Sequence, residues 1–323
     1  MIGSSISGNL PRTQELIAKT RAYDRGKLSD DELEAAYLEA SKRVIEGQVK
    51  AGLTYVNDGL LKWQDSLRPF TLGLGGVELG PMARWFNNNT FYKVPVITGP
   101  ITYKGSVTEM LGYRKLLPEG VTLKAILPAP YTFAALADDR HYGNKTKLQT
   151  AYAEVLNQEA KHLEKLGYGY IQLSDPALVY VTTKPAKNEL EAYGNILEIA
   201  TTGLKVKTCL QTFFGDAAEI LPEVLAYPVS DLGFDLYETM FETLNGLKLT
   251  GGLSLGLIDA RNSTIEDTEE ITATAKHILR TLKSKDIYIS TNCDADFLTW
   301  EKAKEKIGVL VRVAENLRRD ALW

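Results

Sequence analysis

The sequence predicts a (β/α)8 barrel, also called a TIM barrel, on three observations. Eight short apolar segments alternate with segments of helical pattern along the 323 residues. The apolar segments lack the every-second-residue alternation of a sheet with one wet face, so we expect strands that are buried on both faces. No strand-to-helix turn carries the Gly-rich dinucleotide fingerprint, which disfavours the alternative, a doubly wound open sheet. We therefore expect a single barrel domain over residues 1–323.

The eight predicted barrel strands run from the N-terminus to the start of the last helix. They are 2–7, 53–57, 122–127, the run around 170–173, 205–211, 232–237, 252–258 and 287–290. The predicted helices are 12–26, 29–50, 131–137, 146–166, 188–202, 216–225, 239–246, 265–283 and 299–319. Ser29 and Glu32 have capping-box spacing, which predicts a helix start at Ser29.

A long irregular stretch, 63–105, interrupts this alternation after strand two. Within it, 91–98 and 101–104 have strand character on either side of Gly99-Pro100, which predicts a β-hairpin. We expect this insertion to lie over the barrel mouth. Long insertions of this kind often contribute to function.

Composition excludes several classes of function. The net charge of −4 gives no reason to expect a nucleic-acid partner. No apolar run approaches the length of a membrane span, and the first residues lack the pattern of a signal peptide. The two cysteines, Cys209 and Cys293, are too few for a disulfide framework and should be reduced thiols. A cytoplasmic protein is expected.

Functional side chains of a barrel sit where its strands end. The polar, aromatic and sulfur-bearing candidates at these positions are Asp58, Trp63, Asp65, Ser174, Asp175, Cys209, Asp235, Glu238 and Cys293. Asp175 precedes Pro176, so a simple turn-capping role for Asp175 remains open. Cys293 follows strand eight directly, whereas Cys209 lies inside an apolar strand. We expect Trp63, Asp65, Asp175 and Cys293 to line one pocket.

The three histidines, His141, His162 and His277, fall away from the predicted strand ends. A Ser-His-Asp constellation is therefore not expected. Cys209, Glu238 and Cys293 would be a thin ligand set for zinc, because such sites use about four ligands, or three with an open position.

Five segments together resemble the cobalamin-independent methionine synthase family. They are Asn57–Asp65, Ile171–Leu178, Leu210–Asp216, Leu253–Asn262 and Ser290–Cys293. The likeness covers nearly the whole chain, and two of the segments are closer to the family's N-terminal, zinc-free barrel. The family has two related barrels, or one in shorter relatives.

The resemblance implies methyl transfer from 5-methyltetrahydrofolate to homocysteine, whose sulfur the family holds as a thiolate on zinc. The zinc ligands of the family are a His-x-Cys pair, a Glu and a further Cys. Cys293 matches the last Cys. The His-x-Cys pair falls on Thr208-Cys209-Leu210 and loses both ligands, or on Lys207-Thr208-Cys209 after a shift that keeps Cys209. The Glu falls on Tyr237 or, with the same shift, on Glu238.

The resemblance also implies substrate contacts. The acidic motif of the family reads Ser174-Asp175-Pro176 here, so Asp175 survives and the carboxylate that helps hold the homocysteine amino group becomes Ser174. Arg12 and Lys19 are the nearest equivalents of basic residues that contact the polyglutamate tail. Trp63 and Trp85 would suit stacking on a flat pterin, although packing within the insertion explains them equally well.

Three interpretations stay open. The chain is either a methyltransferase, acting alone or with a separate catalytic barrel, or a zinc-free barrel that binds a methyl-pterin without catalysis of its own. A related alkyl or thiol transferase is a third reading. The sequence leaves open which pterin is bound, or whether a corrinoid protein replaces it as methyl donor.

Overall fold

The computed structural model describes residues 1–180, 185–282 and 284–320. Its strands fall into one sheet of eight and one of three. In chain order they are β1 (Ile2–Ser5), β2 (Tyr55–Val56), β3 (Leu74–Arg84), β4 (Phe91–Tyr103), β5 (Thr122–Pro128), β6 (Asp138–Asp139), β7 (Tyr168–Ser174), β8 (Lys207–Gln211), β9 (Asp231–Asp235), β10 (Gly252–Ile258) and β11 (Ile287–Thr291).

The eight-stranded sheet is a nearly closed parallel barrel. Its strands follow the order β1-β11-β10-β9-β8-β7-β5-β2, and all of its paired strands are parallel. The backbone N–H of Thr54 donates to the carbonyl of Ser4 at 3.0 Å, which joins the β2 end of the sheet to β1. The predicted (β/α)8 fold and its eight strands are therefore confirmed.

Helices surround the barrel and bury one face against it. They are α1 (Gln14–Tyr23), α2 (Asp30–Ala51), α3 (Arg68–Gly73), α4 (Val107–Leu111), α5 (Pro130–Leu136), α6 (Lys145–Lys165), α7 (Lys187–Thr201), α8 (Thr268–Thr281) and α9 (Trp300–Asp320). The capping box at Ser29 and Glu32 is present. Among the described residues, no helix combines the length and the apolar character that crossing a membrane requires.

The insertion contains a hairpin, but the predicted turn within it is wrong. Residues 91–103 form one strand, β4, which pairs antiparallel with β3 along 74–84. Gly99 and Pro100 lie inside β4, where Gly76 of β3 passes so close that a Cβ on it would sit 2.3 Å from the Pro100 carbonyl oxygen. The true turn is 85–90. The sequence does not predict β3 because glycines and Pro81 are unfavourable inside a strand. Shifts in the register of the β3–β4 pairing accommodate these residues in the structure.

Two predicted helices are only short 3-10 turns. The segment 216–225 forms Ala217–Ile220 and Glu223–Ala226, because Pro222 cannot continue a helix. The segment 239–246 forms Phe241–Leu244, which ends just before Asn245-Gly246. Lys283, the last residue of the helix predicted over 265–283, lies outside the described residues.

The N-terminal end of the barrel interior is closed by aromatic rings. Tyr55, Tyr170 and Tyr288 form a buried cluster with Cys209, and the Tyr55 and Tyr170 ring centroids are 4.4 Å apart. Lys124, also buried, donates to the Ser5 hydroxyl at 3.2 Å and to the Ile6 carbonyl at 2.8 Å. Among the described residues, this tyrosine floor closes the N-terminal end of the barrel interior.

Candidate functional site

A cleft of about 870 Å³ opens at the C-terminal ends of the barrel strands. Its walls come from the loops after β1, β2 and β11, from α1 and the start of α9, and from the hairpin tip. Side chains that line it include Arg12, Asp65, Trp85, Asp296 and Trp300. Charged and aromatic groups therefore face each other across a space large enough for a cofactor-sized ligand.

A small inner pocket of about 10 Å³ adjoins the cleft at the barrel mouth. The two share Asn9, Leu60, Ser66, Trp85 and Asp294. The residues that belong to the inner pocket alone are mostly apolar and include Trp63, Ile126, Leu127, Pro128, Ser174, Pro176 and Phe213. The inner pocket is therefore a mostly apolar extension of the cleft with room for about one water molecule.

The hairpin tip covers part of this mouth through aromatic contacts. The Phe86 ring lies 5.0 Å from the Tyr180 ring and 5.7 Å from the Phe214 ring, between centroids. Phe86 and Phe214 have φ angles of 51° and 70°, which bulky L-residues rarely adopt. Such backbone strain often accompanies functional sites. Phe86 at the hairpin tip therefore packs against residues that follow β7 and β8.

Asp58 and Asp65 accept backbone hydrogen bonds that fix the loop after β2. Asp58 accepts from the N–H groups of Leu60 and Tyr113, at 3.1 and 2.9 Å. Asp65 accepts from the N–H groups of Leu67 and Arg68, at 3.0 and 2.8 Å, and from Arg68 Nε at 3.1 Å. Burial raises the pKa of both carboxyls. Asp65 lines the cleft. Asp58 does not line it and instead fixes the loop through its backbone hydrogen bonds.

The side chains of Ser174 and Asp175, at the end of β7, lie in different surroundings. Ser174 lines the inner pocket. Asp175 is fully buried and accepts from the N–H and hydroxyl of Thr132, at 2.9 and 2.6 Å, and from the Tyr193 hydroxyl. Burial raises the pKa of Asp175 to about 6 despite these hydrogen bonds. Asp175 therefore connects the loop after β7 to α5 and α7 through buried hydrogen bonds.

Cys293 and Asp235 are also buried at this end of the barrel. The Cys293 thiol is 0% exposed, and its Sγ lies 3.5 Å from the Asp294 carbonyl oxygen, which it approaches as a weak donor. Burial and the carboxylates of Asp294 and Asp235 raise the pKa of Cys293 well above its usual range. Asp235 accepts from the Phe214 and Tyr237 N–H groups. Trp63, Asp65, Asp175 and Cys293 thus share one end of the barrel, but Asp175 and Cys293 do not line the cavities described here.

Arg12 and Lys19 lie in different surroundings. Arg12 lines the cleft near Asp296. Lys19 lies within α1, where it pairs with Glu15 at 3.2 Å, and it lines a separate small depression. The structure therefore brings Arg12, but not Lys19, to the cleft.

Several cleft residues escaped the candidate set from the sequence. Asn9 follows β1, and Arg21 and Arg43 come from the helices α1 and α2. Asn9 could have been found from its place after the first strand. Nothing in the sequence signalled the arginines, because helix residues reach the mouth only through packing.

The comparisons with known proteins agree with this architecture. A family model described as cobalamin-independent synthase, N-terminal domain, matches residues 68–283, which is more than half of the chain. The chain belongs to the cobalamin-independent synthase family. A methionine synthase of Saccharolobus solfataricus is 25% identical over 99% of this chain and 97% of its own length. A methionine synthase of Pyrococcus horikoshii is 25% identical over 99% of this chain and 94% of its own length.

Solved structures of the cobalamin-independent synthase family share the fold. A B12-independent methionine synthase from Shewanella sp. W3-18-1, in complex with selenomethionine, superposes with a TM-score of 0.82 at 24% identity, covering 100% of this chain and 99% of that one. A putative vitamin-B12 independent methionine synthase from Listeria monocytogenes gives 0.74 at 19% identity, covering 98% and 99%. At these identities the likeness supports the barrel fold alone.

The zinc of the family does not fit the candidate ligands of this chain. Within residues 1–180, 185–282 and 284–320, no group of three His, Cys, Asp or Glu side chains is arranged to hold a metal ion. Cys209 lies in the tyrosine floor, where burial and Asp231 raise its pKa to about 12. Glu238 accepts from Arg261 at 2.5 Å at the opposite end of the barrel. The structure therefore does not bring Cys209, Glu238 and Cys293 together.

Proposed function

We propose that this chain is a cytoplasmic methyltransferase that moves a methyl group from a 5-methyltetrahydrofolate-type pterin to homocysteine. The observation that carries the proposal is the full-length match to methionine synthases by a barrel whose mouth holds a cleft of about 870 Å³. One barrel over 1–323, with the insertion at 63–105, would present this cleft.

The cleft has the features that a folate-type ligand requires. Trp85, Phe91 and Trp300 line it and offer flat apolar surfaces for a pterin ring. Arg12 and Arg21 line the same space and could contact the carboxylates of a glutamate tail.

The reaction balances without a change of redox state. The bond between the methyl carbon and the pterin nitrogen breaks and leaves its electron pair on nitrogen, while a bond forms between that carbon and the acceptor sulfur. The thiol loses a proton and the nitrogen gains one. The residues of the mouth would bind the two partners in line and exclude water.

A zinc-free barrel that binds methyl-pterin without catalysis of its own is the second candidate. It is favoured by the separation of Cys209 from Glu238 and Cys293, because the reaction in the family uses a metal-bound thiolate. Such a barrel would work with a separate catalytic barrel, or with a corrinoid protein as donor. A related alkyl or thiol transferase would use the same cleft with another acceptor.

The test is to incubate purified protein with homocysteine and an isotopically labelled methyl donor, and to measure labelled methionine by mass spectrometry. The donors are 5-methyltetrahydrofolate with one and with three glutamates, and methylcobalamin. Labelled methionine from the chain alone supports the methyltransferase. Labelled methionine only after addition of a catalytic barrel that contains zinc supports the second candidate.

A matched pair of variants ties the activity to the cleft. Arg12→Ala should raise the KM for the three-glutamate donor, whereas Lys19→Ala should not, because Lys19 does not line the cleft. Absence of methyl transfer under all conditions, together with absence of pterin binding, would contradict both candidates.

A further inference from the structure

The hairpin tip, residues 85–90, separates the inner pocket from the cleft. Trp85 is 6% exposed and lines both cavities. Trp63, in the loop after β2, and Ser174, at the end of β7, line the inner pocket. This pocket has a volume of about 10 Å³, which is room for about one water molecule. The tip therefore keeps these two side chains away from any larger ligand in the cleft.

The hairpin tip is hydrogen-bonded to itself rather than to the barrel. The N–H of Trp85 donates to the Thr90 carbonyl at 2.9 Å, and the N–H of Asn88 donates to the Trp85 carbonyl at 3.2 Å. Among the described residues, none outside the tip forms a hydrogen bond with residues 85–90. The Thr90 hydroxyl is buried without a hydrogen-bond partner. A segment with internal bonds and few external ones opens at low cost.

The hairpin is fixed to the rest of the protein immediately after the tip. The Tyr92 hydroxyl donates to the Leu136 carbonyl at 3.2 Å, and the N–H of Lys93 donates to Asp65 Oδ2 at 3.3 Å. These two hydrogen bonds hold β4 in place next to the turn. Movement of the hairpin is therefore confined to the tip and its junctions with β3 and β4.

Aromatic contacts hold the tip against the barrel mouth. The Phe86 ring packs edge-on against Tyr180 after β7 and tilted against Phe214 after β8. It also lies 4.9 Å from the Trp85 ring, between centroids. Aromatic pairs of this kind contribute modestly to stability. The contacts of Phe86 can therefore break and re-form while the barrel stays folded.

Backbone strain is concentrated around the same cavities. The non-glycine residues with a positive φ in the described part of the chain are Leu60, Gln64, Phe86 and Phe214. Leu60 lines both cavities, and Gln64 lines the cleft. Residues held in such conformations cluster at ligand clamps and switch regions, where the strain belongs to the mechanism. Their location is independent support for a mobile element at this place.

We propose that the hairpin tip is a gate at the barrel mouth. In the closed state, Phe86 holds Trp85 over the inner pocket. In the open state, the Phe86 ring leaves Tyr180 and Phe214, Trp85 moves away, and the inner pocket joins the cleft. A ligand in the cleft then reaches Ser174, and closure of the tip excludes water from the contact. The proposal goes beyond the proposed function, because it does not depend on which ligand enters.

The test follows the reaction of a thiol in the inner pocket with methyl methanethiosulfonate. Ser174→Cys introduces the thiol, and peptide mapping by mass spectrometry measures its rate of modification. The reagent is much larger than a water molecule, so it should reach residue 174 only in the open state. Ala273→Cys, at an exposed position on α8, is the reference. Ser174→Cys should react at least about tenfold more slowly than the reference, because a minor state is populated at about 10% or less.

Removal of the Phe86 ring should favour the open state. Phe86→Ala, combined with Ser174→Cys, should raise the rate of modification about tenfold, because the aromatic contacts to Tyr180 and Phe214 are lost. Phe91→Ala is the matched control on the same hairpin. Its ring is 47% exposed and contacts Arg84. This control should leave the rate unchanged.

Cys209 reports whether the barrel stays folded. It lies in the tyrosine floor and is 1% exposed, so it should react only when the barrel unfolds. Faster modification of residue 174 without modification of Cys209 would show opening of the tip. If Phe86→Ala exposes Cys209, Phe86→Leu takes its place, because leucine keeps apolar packing and lacks the aromatic ring. The same increase in rate is expected.

The proposal is overturned if Ser174→Cys reacts within about twofold of Ala273→Cys, because the inner pocket is then accessible without movement of the tip. It is also overturned if loss of the Phe86 ring leaves the rate within about twofold of its starting value, or if Phe91→Ala raises the rate equally. These measurements need no methyl donor or acceptor. The gate can therefore fail while the proposed function stands, and the proposed function can fail while the gate stands.

Discussion

Two groups of acids, one at each end of the barrel interior, differ in their ion pairs. In the tyrosine floor, Asp286 pairs with the N-terminal ammonium at 2.5 Å and with Lys207, which also donates to the Tyr288 hydroxyl at 2.8 Å. At the mouth, Asp294 and Asp296 have no such partner among the described residues. The contrast indicates that Asp286 stabilises the fold through its ion pairs, whereas the carboxylates of Asp294 and Asp296 are available to a ligand in the cleft.

The largest expected effect tests the floor. Tyr170→Ala removes a ring that is 2% exposed and packs against Tyr55 and Tyr288. We expect a loss of about 3–5 kcal/mol in the free energy of unfolding, measured in urea. Tyr237→Ala, at the mouth and 46% exposed, should cost about 1 kcal/mol. Equal costs at the two positions would break the comparison.

The contributions of Asp286 and Asp175 to the free energy of unfolding should change with pH in opposite directions. Burial alone would raise the pKa of Asp286, but hydrogen bonds from Lys207 and the N-terminus outweigh it and lower the pKa. Its contribution is present above the unfolded pKa near 3.8 and is lost as the pH falls through the folded pKa. Burial raises the pKa of Asp175 to about 6, so stability falls as the pH rises from 3.8 to about 6.

Urea unfolding of Asp286→Asn and Asp175→Asn, measured across this range, checks the two signs. The advantage of wild type over Asp286→Asn should shrink in acid. The advantage over Asp175→Asn should grow in acid by an amount on the order of 1–3 kcal/mol, since one pKa unit corresponds to about 1.4 kcal/mol. Parallel profiles for the two variants would contradict the expected difference.

A smaller effect is expected at the inner pocket. Trp63→Phe keeps an aromatic ring near Phe70 but removes the unpaired N–H. The free energy of unfolding should change by less than about 1 kcal/mol, because no hydrogen bond of the indole to the rest of the protein is lost. Urea unfolding measures this change. A much larger loss would show that packing of the full indole ring stabilises this end of the barrel.

The smallest effect is expected for Lys19→Ala. Lys19 forms an exposed ion pair with Glu15, which contributes at most about 0.5 kcal/mol. Its removal should leave both stability and the affinity for a polyglutamylated pterin nearly unchanged, as pterin binding followed by fluorescence would reveal. A clear loss of affinity would extend the binding surface beyond the cleft.

The sequence predicted the barrel because its signals are local. Apolar runs, the capping box at Ser29 and the break at Pro176 each act within a few residues. The hairpin turn was misplaced because Gly76 and Pro100 meet only through long-range pairing. The strand-end rule found Trp63, Asp65 and Ser174, but it could not tell that Asp175 turns into the wall, since that depends on Thr132 and Tyr193 from other elements.

One wall of the cleft is carried on the β3–β4 hairpin rather than on a barrel strand. Surface loops tolerate changes of length that strands do not. Evolution can therefore reshape the entrance by editing the six residues 85–90 while the barrel underneath stays untouched. Exchanging this turn between relatives would be a direct way to redirect which molecules the barrel admits.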